Sequence, residues 1–94
     1  MTYKRIDNLI KQIRKYAYYC KSDQEVIVLS GAFVMSAIKA KSSYGFVELK
    51  PNGSEYILGC KVYTLKDKDT NYLAIAYKTA YGELEQLTEI KEED

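Results

Sequence analysis

The densest chemistry in the chain lies on one stretch of its first twenty residues. Lys4, Lys11, Arg14, Lys15, Tyr18 and Tyr19 share one side of a helical wheel. Basic side chains neutralise phosphates and tyrosine rings stack on bases, so this face suits a nucleic acid or a nucleotide. The same residues also make an ordinary solvated helix face, and both readings stand at this point. A second cluster follows at Lys41, Ser42, Ser43, Tyr44 and Gly45, where two hydroxyls, an ammonium and a ring suit a small polar ligand or a plain connector. A third is Ser30 with Gly31, after an apolar run, where free backbone N–H groups at a strand-to-helix turn attract anions.

Other chemistry is thin. The chain has no histidine, which removes the usual general base, the Ser-His and Cys-His nucleophile pairs and most catalytic metal sites. Cys20 and Cys60 cannot complete a tetrahedral zinc site without further ligands, and they read as small hydrophobes in a reduced setting. Asp67 and Asp69 stand at alternate positions like calcium ligands, but the glycine and distal glutamate of a calcium loop are missing. Glu48 and Glu55 sit on two arms of a hairpin, and carboxylates so placed serve either acid–base work or solubility. Neither a phosphate loop nor a dinucleotide fingerprint is present. No enzyme activity and no cofactor are expected.

The elements that position these residues come next. Ile6, Leu9, Ile10, Ile13, Ala17 and Cys20 fall in one arc at helical spacing, predicting a helix over 3–20 capped by Thr2. Residues 26–29 are apolar without alternation, which predicts a strand covered on both faces. Residues 33–41 return to helical spacing, with Ser30 placed as the cap. Residues 46–50 alternate, Pro51, Asn52 and Gly53 turn the chain, and residues 55–65 return as one strand whose Gly59 marks a bulge or a close approach. Residues 71–79 form a strand with Leu73, Ile75 and Tyr77 on one face; Ala74 and Ala76 on the other leave room for a helix. The tail fits a helix or an edge strand, and its composition favours the helix. Residues 91–94 are expected to be disordered.

These elements predict an α+β fold. A mixed or antiparallel sheet of about four strands packs against an N-terminal helix and a second short helix. Ninety-four residues make a single domain, 1–94. The net charge is +1, so no global field draws nucleic acid or a membrane. The ends are polarised all the same, at +5 over residues 1–21 and −5 over residues 82–94. Apolar runs fall far short of a membrane span and no leader pattern opens the sequence, so a cytoplasmic setting without a membrane is expected. Ten tyrosines are more than so small a core buries, which puts several on a contact surface.

From Val26 to Tyr77 the order of elements resembles small tailed-phage and prophage proteins and the peripheral domain of phage coat proteins. The shared features are an apolar strand ending at a small polar residue (VIVLS), a short helix (GAFVMSAIKA), and a hairpin whose return steps from Leu58 and Gly59 through Cys60 and Lys61 to Val62. The basic N-terminal helix and acidic tail have no counterpart there. The resemblance implies a protein without an active site that works by binding or assembly, and such a protein can blunt a host defence. A homo-oligomer that binds a protein partner is the leading expectation, and nucleic-acid or nucleotide binding is the alternative.

Overall fold

The computed structural model describes residues 1–41 and 47–92. Thr2 begins the first helix as its composition predicts: its backbone is extended and its hydroxyl accepts the Arg5 N–H at 3.1 Å. Helix α1, Tyr3–Tyr19, buries Ile6, Leu9 and Ile13 of the predicted arc. Arg5 is buried beside them.

Strand β1, Gln24–Ser30, is buried without a break from Val26 onward. The second helix, α2, spans Val34–Lys41 and buries Val34, Met35 and Ile38. It starts later than residue 33, and Ser30 does not cap it. Ser30 is the last residue of β1, and its hydroxyl meets no partner among the described residues.

Strands β2 (Val47–Leu49), β3 (Glu55–Ile57), β4 (Cys60–Thr64), β5 (Leu73–Thr79) and β6 (Leu84–Glu89) complete one mixed sheet in the order β2-β3-β4-β1-β5-β6. β1 lies at its centre, parallel to β4 and antiparallel to β5 along its whole length.

Among the described residues six strands replace the expected four or so, for two reasons. First, residues 55–65 are not one strand. Leu58 and Gly59 take φ of 49° and 82° and join β3 to β4 as a two-residue turn, pairing Ile57 with Cys60 and Tyr56 with Lys61. Both residues sit in the left-handed region, the mark of a type I′ hairpin. The reversal flips the parity of everything beyond it, so Tyr56 shares a face with Lys61 and Tyr63 rather than with Val62. Second, the tail is a strand. Helix propensities differ by only tenths of a kcal/mol per residue, whereas the outer edge of the buried strand β5 needs partners for its backbone groups. β6 supplies them from Leu84 to Glu89, and the next residue, Ile90, donates its N–H to Leu73 at 2.7 Å and is fully buried. Lys91 and Glu92 are placed as well, and residues 93–94 lie outside the described set.

Both helices cover the same face. Leu9, Ile13, Val34 and Ile38 pack with Val26, Val28, Leu73 and Ile75 in the main core. The opposite face holds Ile27, Leu29, Ala74 and Ala76, and Tyr63, Leu65 and Tyr72 pack against them. The small alanines therefore make room for neighbouring tyrosines and not for a helix.

Two stability changes follow. Ile27 and Ile75 are wholly buried on opposite faces, and either one replaced by Ala should lose roughly 2–5 kcal/mol in a urea titration. Leu58 holds a left-handed backbone that asparagine and glycine adopt more easily. Leu58→Asn should therefore raise stability by about 0.5–1 kcal/mol, visible as a higher denaturation midpoint.

Candidate functional site

Lys11, Arg14, Lys15, Tyr18 and Tyr19 all emerge on the exposed side of α1. Tyr18 meets Tyr19 edge to face, with ring centres 5.1 Å apart, and the two rings are 83% and 65% exposed. The Lys15 ammonium lies 5.3 Å from the centre of the Tyr16 ring. Among the described residues no carboxylate pairs with Lys11, Arg14 or Lys15.

The end of α1 is fastened to β5. Tyr77 donates its hydroxyl hydrogen to the Tyr16 carbonyl at 2.8 Å, and their rings meet edge to face. This brings Tyr18 and Tyr19 to the end of the sheet where β5 turns into β6. Tyr81, 94% exposed in that turn, and the half-exposed Leu84 lie at the same end.

The other expected cluster does not assemble with these residues. Gly31 is sealed: its N–H is donated to the Tyr72 carbonyl at 2.7 Å, and a side chain there would overlap the Asp69 carbonyl. The backbone at Ser30 and Gly31 is thus closed to an anion by the crossing loop. Lys41 ends α2 with its ammonium 4.8 Å over the ring of Tyr3, at the opposite end of α1 from Tyr18. Ser43 and Tyr44 lie outside the described residues.

The carboxylate pairs are separated too. Glu48 stands opposite Tyr56, whereas Glu55 stands opposite Leu49, so they project to alternate faces. Glu55 pairs with Lys39, and Glu48 with Lys50 at 3.3 Å. Asp69 shapes its own turn by accepting the Asn71 N–H at 2.8 Å. Both cysteines are free, and burial, with Cys20 and Glu25 nearby, pushes the Cys60 thiol up from its ordinary range.

Sequence reasoning missed the helix-free face of the sheet. Tyr56, Tyr63 and Tyr72 line it, with lysine ammoniums over their rings. Lys78 also donates to the Tyr63 hydroxyl at 3.3 Å, and Tyr72 bonds Gln86. Burial, and then the Glu89 carboxylate, raises the Tyr72 hydroxyl, so it stays protonated. The signal was present as period-2 spacing of Lys61, Tyr63 and Leu65, but the turn at Leu58 and Gly59 hid which face Tyr56 joins.

A cleft of about 540 Å³ opens where α1 starts, bordered by Arg5, Asn71, Tyr72, Ile90 and Glu92. Its guanidinium is committed to the fold. Arg5 donates to the Ile90 carbonyl at 2.8 Å and the Asn71 carbonyl at 2.5 Å, and it reaches Glu92 at 3.5 Å. Glu92 also accepts the Thr2 N–H at 2.6 Å and lies 3.9 Å from the N-terminal ammonium.

Hydrogen bonding by the Thr2 side chain, helped by the N-terminal ammonium and Arg5, outweighs burial and holds the Glu92 carboxyl below its ordinary value. A carboxyl lowered on folding contributes stability above its unfolded pKa, and that contribution disappears as pH falls through the folded one. Thermal melts should therefore show Glu92→Gln less stable than the parent at neutral pH, with the gap closing as pH falls through the acid range below the ordinary carboxylate value. A gap that stays constant with pH would remove the carboxylate from the clasp.

No family model, curated protein or solved structure matches the chain.

Proposed function

We propose that the chain is a non-enzymatic protein of the phage or mobile-element type, acting by binding and self-assembly through a tyrosine-rich surface. Antagonism of a host protein is the role such a surface would serve. The observation that carries this reading is the exposure of Tyr18 and Tyr19 at the end of α1 and of Tyr81 and Leu84 around the turn from β5 to β6, toward one end of the sheet. Rings of this kind bring a large apolar area and a polar tip to a wet interface.

Charge supports a second copy as the first partner. The same end carries Arg14 and Lys15, which meet no carboxylate among the described residues, and the exposed anions Glu83 and Glu85. A surface with both signs flanking an aromatic centre is self-complementary across a two-fold axis. Exposed ion pairs add only about 0–1 kcal/mol each, so buried ring area must supply most of the affinity. The interaction is thus apolar in strength and electrostatic in register.

The non-enzymatic part rests on the separation of Glu48 from Glu55 and on the lack of histidine. No helix among the described residues is long and apolar enough to cross a membrane. Nucleic-acid binding by α1 is the second reading. Asp7 interrupts its basic face, and Tyr18 and Tyr19 pack on each other, which ranks it below self-assembly.

Sedimentation at micromolar concentration should show a dimer or a higher closed oligomer that weakens only modestly in high salt. Tyr18→Ala combined with Tyr81→Ala should shift it to monomer without unfolding it, since both rings are exposed. A strict monomer in the parent protein would refute the assembly. Steep dissociation with salt would assign its strength to the charges and not to the rings.

A further inference from the structure

The helix-free face has a built order that ordinary solvated sheets lack. Its floor is apolar and closed, with Ile27, Ala74 and Ala76 fully buried. Around that floor stand Tyr56 on β3, Tyr63 on β4 and Tyr72 just before β5. Every one of these rings lies under an ammonium: Lys50 at 5.1 Å from Tyr56, Lys61 at 5.1 Å and Lys78 at 5.5 Å from Tyr63, and Lys68 at 5.4 Å from Tyr72. Lys50 and Lys78 also pair with Glu48 and Glu25. Among the described residues Lys61 and Lys68 meet no carboxylate.

We propose that this face is a platform for single-stranded nucleic acid, with unpaired bases stacking on Tyr56, Tyr63 and Tyr72 and phosphates taken by Lys61, Lys68 and Lys78. The ammonium now over each ring is a weak, exchangeable occupant at the protein surface. A base can displace it onto the phosphate of the same nucleotide, so both the ring and the cation gain a better partner. Every base has a π face, so the arrangement binds without demanding a sequence. The spacing also fits. Tyr63 is diagonal to Tyr56 across neighbouring strands, roughly 7–8 Å away, and one strand, β1, separates it from Tyr72, roughly 10 Å across the sheet. Open sheets with two or three such rings hold two or three successive bases.

Charge disfavours the competing occupant. The carboxylates of this face, Glu25, Glu48 and Glu89, are already paired with Lys78, Lys50 and Lys91, so a second copy pressed face to face would offer Lys61 and Lys68 no free counter-charge among the described residues. Duplex is disfavoured as well, because paired bases offer no faces to the rings. This surface adjoins the Tyr81 end where Lys78 stands opposite Leu84, but its three rings, Tyr56, Tyr63 and Tyr72, are distinct from Tyr18, Tyr19 and Tyr81, so substitutions can test the two surfaces one at a time.

The test is fluorescence anisotropy with fluorescein-labelled oligo(dT) and oligo(U) of about 15 nucleotides, with a duplex of the same length as control. The full chain should bind the single strands at least about tenfold more tightly than the duplex. Affinity should fall about 20-fold between about 50 and 200 mM salt if three phosphates are engaged. Tyr63→Leu and Tyr72→Leu keep the apolar cover and should each weaken binding about tenfold, whereas Tyr63→Phe keeps the ring and should bind like the parent. Lys61→Gln should flatten the salt dependence by close to one phosphate. Lys21→Gln, at the exposed turn into β1, should change nothing. The proposal is overturned if the parent fails to bind at about 100 µM, if Lys15→Gln weakens binding while Tyr63→Leu does not, or if poly-glutamate displaces the oligonucleotide as well as unlabelled oligo(dT) does. It is equally overturned if Tyr63→Leu, still folded by circular dichroism, abolishes an oligomer seen in sedimentation, because the face then belongs to a second copy.

Discussion

Burial of β1 on both faces is the constraint to which the rest of the fold answers. A strand apolar on both sides must be paired along both edges and covered above and below. β4 and β5 take its edges. The described chain has two helices for cover, and both lie on one face. The other face is closed by side chains long enough to lean inward over small neighbours: Tyr63, Leu65 and Tyr72 against Ala74 and Ala76. Tyrosine suits this better than phenylalanine, because its ring covers the floor while its hydroxyl reaches Gln86 or Lys78 at the rim. The unusual tyrosine content is thus partly a consequence of a sheet with helices on one side only.

The helical side has its own solution to a problem of attachment. α1 could slide or tilt on an apolar sheet, since dispersion and burial have little direction. A buried guanidinium supplies direction. Arg5 holds two backbone carbonyls and one carboxylate drawn from residues 71, 90 and 92. A buried charge is tolerable only when its donors are met, so α1 has one seating in which Arg5 is satisfied. The far end is held by the Tyr77 hydroxyl on the Tyr16 carbonyl. Two polar contacts at opposite ends of the helix fix its register, and the apolar residues between them supply most of the burial.

Much of this was legible in local pattern. The Thr2 cap, the arc of Ile6, Leu9 and Ile13, the two-sided strand after Glu25 and the parity of Leu73, Ile75 and Tyr77 all follow from spacing within a few residues, and the fold reproduces them. The misses have non-local or atypical causes. Arg5 gives no local signal of burial, because its acceptors lie more than 60 residues away. Leu58 conceals a tight turn because a branched side chain is a poor marker of a left-handed backbone. The tail was misread because helix propensity is local, whereas the open edge of β5 is not. On the candidate surfaces, the exposed side of α1 was visible from the wheel. The tyrosine–lysine face was not, because it depends on the parity change at that same concealed turn.

The pairing pattern also bears on how the chain acquires its fold. β1 is made early, but β4 joins it only from residue 60 and β5 only from residue 73. Until then a doubly apolar strand has neither edge filled. Non-local pairing of this kind, including a parallel ladder, raises contact order and slows folding. It also prolongs the interval in which bare strand edges can pair with the wrong chain. Because Arg5 awaits Asn71, Ile90 and Glu92, the first helix is locked last. A nascent chain of this protein therefore carries a doubly apolar strand with open edges until residues 60–79 have been made.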